Sequence, residues 1–143
     1  QRSAIGDRIA HGYIEAEEVI DYTRFAKYVN QTILEFEYGL DVLRDHKVAA
    51  FAASAKGCTL LNSIHDASVI QYIVDETPEK IEKFTPGTGI EVVPLVHLLA
   101  FPVDYLIILS WNFFFEIATK CRKAGYKGKF IVPIPKWRII DEV

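Results

Sequence analysis

Methionine is missing from these 143 residues, and cysteine occurs only twice. Cys58 and Cys121 stand 63 positions apart with no companion ligands at metal spacing. Neither a disulfide framework nor a zinc knuckle is legible, so both read as reduced thiols of a cytoplasmic protein. Positive charge is not in excess: 16 Lys and Arg against 19 Asp and Glu leave a net charge of −3. That gives none of the basic field on which nucleic-acid binding depends. No apolar run is long enough for a membrane, because "PLVHLLAFPVDYLIILSWNFFF" is broken by His97, Pro102 and Asp104. A span takes roughly 20 uninterrupted apolar residues. The histidines at 11, 46, 65 and 97 have neither Cys nor carboxylate at ligand spacing, so no metal is expected. No Ser-His-Asp or Cys-His arrangement can be argued, and Glu17-Glu18 reads as a helix start. The chain opens at Gln1 with no initiator methionine and no signal peptide, which fits a piece of a longer polypeptide or a trimmed chain.

What is present is the balance of one globular domain, 50% apolar and 24% charged, in a length that buries a real core. Residues 1–17 show weak periodicity and read as a leading segment or linker; residues 18–143 read as a single domain. From Glu18 to about Arg44, Val19, Tyr22, Phe25, Val29, Ile33, Phe36, Leu40 and Leu43 recur at steps of three and four, the spacing of one helical face. A different alternation follows. "KVAAFAA", "SVIQYIVD", "EVVP", "DYLIILS", "KGKFIVPIP" and "WRII" read as strands. "TLLNSIH", "PLVHLLAF" and "NFFFEIATKCRKAGY" read as helices. Pro94 is expected in the first turn of the second, Asn112 as N-cap of the third, and Gly125 or Gly128 at its end. Strands alternating with helices imply right-handed βαβ units. The expected fold is α/β: a Rossmann-like three-layer sandwich around a mainly parallel sheet, preceded by the long amphipathic helix.

In such sheets ligands collect beyond the carboxyl ends of the strands, where strand order reverses. "ASAKGCT" should put the N–H groups of Lys56, Gly57, Cys58 and Thr59 at a helix N-terminus, with the Lys56 charge and the Ser54 and Thr59 hydroxyls beside them. That is chemistry for a phosphate. A dinucleotide loop, however, carries glycines where this chain has Ala50 and Ala52, and a plain crossover turn fits equally well. Asp75 ends the second strand, placed either to bind ribose hydroxyls or to cap the turn into Thr77-Pro78. "FTPGTGI" is a turn by composition. Trp111 and Asn112 follow an apolar strand directly, offering a stacking surface and an amide, or else a core plug and a helix cap.

Taken together, "VAAFAASAKGCTLLN", "IQYIVDETPEKIEKFTPGTGIEVV", "DYLIILSWNFFFEI" and "GKFIVPIP" resemble, in order, the C-terminal domain of S-adenosylmethionine-dependent sugar C-methyltransferases. The resemblance runs from about residue 18 to 140. It implies a Rossmann-like domain that helps hold a nucleotide-linked sugar and close the active site. Ser54, Ala55, Lys56, Gly57 and Thr59 would then form an anion-facing loop. Thr85, Pro86, Gly87 and Thr88 would form a second loop, and Trp111, Asn112 and Phe113 a pocket wall. The family's early glycines are Ala50 and Ala52 here, its loop tyrosine is Phe51, its loop asparagine is Cys58, and Thr77 replaces another asparagine. The chain also lacks a cofactor-binding G-x-G-x-G element, zinc cysteines and the His-Gly-Gly segment; "HGY" at 11–13 lies too near the long helix to be equated with it. The expectation is therefore a substrate-positioning domain that binds no cofactor itself. S-adenosylmethionine belongs to the full-length enzyme, and the partners are a nucleotide-linked sugar and an upstream methyltransferase domain or partner chain. Two other readings stay open: an interaction domain with a lost ligand site, forming a homodimer through the long helix, or a nicotinamide-dinucleotide-binding domain.

Overall fold

The computed structural model describes residues 16–143. The leading segment expected over 1–17 lies outside them except for Ala16 and Glu17, which already belong to helix α1 (Ala16–Val42). His11 lies outside as well. Two compact units divide the chain, residues 1–31 and 32–143. In the first, the described residues are helical, with Tyr22, Phe25 and Val29 exposed.

The second unit is the doubly wound sandwich. After α1 come β1 (Val48–Phe51), α2 (Ala55–Asn62), β2 (Ile70–Val74), β3 (Val92–Val93) and α3 (Leu95–Ala100). Then follow β4 (Tyr105–Ile108), a 3-10 turn at Trp111–Phe113, α4 (Phe114–Ala124), β5 (Lys129–Val132) and β6 (Arg138–Ile140). The sheet order is β3-β2-β1-β4-β5-β6. All pairings are parallel except the last, where β6 runs antiparallel to β5. Chain order therefore reverses between β1 and β4.

Burial on both faces explains the continuous apolar strands. On one face Val48, Ala50, Ile107 and Ile131 pack against Phe36 and Leu40 of α1, Leu43 just after that helix, and Leu61 of α2. On the other, Ala49, Phe51, Ile108 and Phe130 meet Leu98 of α3 and Ala118 and Cys121 of α4. Burial pushes the Cys121 thiol up to about 11, so it is a neutral, packed side chain. Gly39 lets α1 settle against Trp137, whose ring would lie only 2.3 Å from a Cβ at that position; Trp137 also meets Phe36 edge-on.

Two local expectations shift. Pro94 stands at the N-cap of α3, one residue before its first turn. Asn112 is not the cap of α4: the Phe113 N–H already donates to Ser110 O, which folds residues 111–113 into a 3-10 turn and leaves Phe113 at the cap position. Gly125, at φ 113°, ends α4 as expected. Among the described residues no helix is long and apolar enough to cross a membrane.

Candidate functional site

The exits of β1, β2 and β4 converge around the start of α2. Ala52 leaves β1 at φ 80°, a left-handed conformation that glycine adopts freely and alanine rarely. Its N–H donates to Val74 O, which holds the turn against β2. Ser54 then caps α2: its Oγ accepts the Gly57 N–H at 3.1 Å, and its carbonyl accepts the Cys58 N–H at 2.9 Å. The Thr59 hydroxyl donates to Ala55 O inside the helix. Of the donors expected to face an anion, the Gly57 and Cys58 N–H groups and the Thr59 hydroxyl are thus engaged within the turn itself, and the Ser54 hydroxyl oxygen is the acceptor for Gly57. The reason is the capping geometry, in which Ser54 takes the Gly57 N–H, one of the orphan donors that a phosphate would use, and Cys58 begins the regular helical bonding.

Gly57 has a packing role. A Cβ there would lie 2.8 Å from the Leu109 Cβ, so the missing side chain lets α2 approach the exit of β4, a duty that the last glycine of dinucleotide loops also performs. Beside it, the Lys56 ammonium lies over the Trp111 ring, 4.6 Å from its centroid. The structure thus joins two candidate residues 55 positions apart. Asn112 and Phe113 follow, both exposed.

Asp75 is buried, and both carboxylate oxygens are spoken for: Oδ1 accepts the Thr77 N–H and Oδ2 the Ala53 N–H, each at 2.8 Å. It caps the turn and ties the β2 exit to the β1 exit. Burial pushes its pKa up, but the Thr77 amide and hydroxyl, the Ala53 amide and the Lys80 charge together outweigh that and hold it below the ordinary carboxylate range.

The second loop divides. Thr85 is buried, its hydroxyl paired with that of Thr88 at 2.6 Å and accepting the Ile90 N–H. Gly87, at φ 82°, turns the chain beneath Asn62, whose amide donates to Pro86 O. Thr85 and Pro86 face a cleft of about 370 Å³. Gly87 and Thr88 instead flank a separate hollow with Asn62, His65 and Ser68 beyond the C-terminal end of α2.

The cleft opens at the carboxyl ends of β1 and β2, floored by Ala53, Ala55 and Cys58. Lys80, Lys83 and Phe84 complete its wall. The Lys80 ammonium donates to Ala53 O at 2.9 Å. These lysines were not singled out in the sequence, although "DETPEK" places Lys80 five residues past the strand-end acid. Burial, the largest cause, raises the Cys58 pKa, so its thiol faces the cleft uncharged. Cations beside apolar walls suit an anionic ligand with a flat or hydrophobic part. Among the described residues no group of three or more His, Cys, Asp or Glu side chains is placed to hold a metal.

Comparison with known proteins bears on this site. A family model described as "C-methyltransferase C-terminal domain" matches residues 11–135. The protein named "C-methyltransferase NovU" from Streptomyces niveus is 33% identical over 103 residues. That match takes in 70% of this chain but only 24% of the relative, so the chain spans about a quarter of the length of the protein it resembles.

Proposed function

Because this chain belongs to the C-methyltransferase C-terminal domain family, we propose that it is the nucleotide-sugar-binding domain of an S-adenosylmethionine-dependent sugar C-methyltransferase. It positions the substrate, while another part of the enzyme carries the cofactor and the base that removes a proton beside the sugar's keto group. The supporting observation is the cleft at the carboxyl ends of β1 and β2, where Lys80 and Lys83 stand next to Phe84 and Pro86. Two ammonium groups match a diphosphate, and the apolar wall matches a base or a deoxysugar face. Holding the sugar in one orientation is itself a large share of such catalysis. A cofactor site elsewhere is supported by Ala50 within β1 and Ala52 just after it, which stand where a dinucleotide loop has glycines, and by Gly57 being packed on Leu109. Two unpaired cysteines suit a cytoplasmic enzyme.

Calorimetric titration with uridine and thymidine diphosphate hexoses tests this reading. Binding is expected, with Lys80→Ala and Lys83→Ala each weakening it by about tenfold, the loss of one charge-assisted contact. A folded protein with no binding at roughly 10 mM ligand, meaning a binding free energy weaker than about −3 kcal/mol, would sink it.

One observation favours a second reading, an interaction domain. Leu34, Tyr38 and Val42 form a row at four-residue steps on α1 and are 64%, 72% and 60% exposed. A dimer in sedimentation that Tyr38→Glu dissociates is its signature.

A further inference from the structure

On a sheet of this order a dinucleotide lies across the point where strand order reverses. One mononucleotide rests above the first three strands, the other beyond the fourth, and the pyrophosphate sits at the start of the intervening helix. In this chain the crossing point is the β1/β4 boundary and the helix is α2. The Lys56 ammonium rests 4.6 Å from the Trp111 ring centroid, so a side chain from the first turn of α2 meets the turn that leaves β4. Below this pair, α2 is pressed so closely onto Leu109 that Gly57 has no room for a Cβ. The Gly57 N–H, an obvious pyrophosphate donor, is committed to Ser54 Oγ. The cleft, by contrast, is lined from the β1 and β2 sides, by Ala53, Ala55, Lys80, Phe84 and Val92 among others, and neither Lys56 nor Trp111 lines it.

We infer that Lys56 and Trp111 close the switch point, so that the domain accepts one nucleoside diphosphate unit and turns a dinucleotide away. The inference rests on the nucleotide-sugar reading and adds the two residues that set its limit. Lys56 comes from the first turn of α2 and Trp111 from the turn that leaves β4, so the ammonium and the indole meet at the seam between these two exits and hold each other there by cation–π attraction. Because neither group lines the cleft, removing either widens what the site admits without removing a contact to the diphosphate.

Parallel titrations of uridine diphosphate and oxidised nicotinamide adenine dinucleotide into the wild type, Lys56→Ala and Trp111→Ala decide the matter. The wild type is expected to prefer the diphosphate by at least about tenfold. Each substitution should narrow that preference by about threefold or more through tighter dinucleotide binding, with diphosphate affinity held within about twofold. Lys56 is exposed, so Lys56→Ala carries the test alone should Trp111→Ala fold poorly. Equal affinities in the wild type, an unchanged preference in Lys56→Ala, or a large loss of diphosphate affinity in that variant each overturns the closure and leaves the nucleotide-sugar reading standing. Failure of the wild type to bind either ligand overturns the closure, and the diphosphate-hexose titrations then decide the nucleotide-sugar reading separately.

Discussion

At the scale of single residues, Ala52 and Gly57 form a contrasting pair five positions apart. Ala52 occupies a left-handed conformation, φ 80°, that costs an L-residue about 1–2 kcal/mol, while glycine gives up about 0.5–1 kcal/mol of unfolded-state entropy. Ala52→Gly is therefore expected to stabilise by about 0.5–1 kcal/mol, a rise of about 2–4 °C in Tm. Gly57→Ala should do the reverse, since its methyl group meets the Leu109 Cβ at 2.8 Å; overpacking of this kind costs about 1–3 kcal/mol. Calorimetric melting of the two variants checks both signs. What the sequence tells about this loop is its turn and its helix start. It cannot tell that Ser54 consumes the Gly57 N–H, because a capping serine and a phosphate compete for the same donor. Nor can spacing announce that Lys56 meets Trp111, a pairing created by β1 and β4 lying side by side.

Among the elements, α1 carries the clearest test. Glycine inside a helix costs about 1 kcal/mol relative to alanine, so propensity alone predicts that Gly39→Ala stabilises. The Trp137 ring atoms, 2.3–2.6 Å from that Cβ position, predict the opposite: a loss of about 1–3 kcal/mol in urea unfolding as the indole is displaced. The core-facing residues Phe36, Leu40 and Leu43 were legible because helical periodicity is a strong signal, and the strands because sheets covered on both faces need unbroken apolar runs. The start of α4 was not. Asn112 has the chemistry of a cap, yet the bond from Phe113 N–H to Ser110 O begins the turn earlier, and no local pattern reports such a choice. The two lysines of the cleft were equally hidden, since a charged residue in a Pro- and Gly-rich loop looks like a solvated surface until the fold brings it against β1.

For the whole unit, acid stability should depend on Asp75, which joins the exits of two neighbouring strands. Its folded pKa lies below the ordinary value, near 3.9 for an unfolded chain. The carboxylate's contribution is thus complete above that value and fades as pH falls through the lower folded pKa. Asp75→Asn is expected to cost about 1–3 kcal/mol at neutral pH, with the gap to wild type closing only as pH falls below the ordinary carboxylate value and through the lowered folded one. Urea titrations across that range measure it, and a gap that stays constant with pH would contradict the assignment. The strand order has one more effect, on how the molecule is made. Val48 finds one neighbour at Ile70 but the other only at Tyr105, so a ribosome must emit most of the polypeptide before the middle of the sheet is flanked on both sides. Until then β1 keeps a bare apolar flank, and the nascent intermediate is the species most prone to clump and most in need of a chaperone.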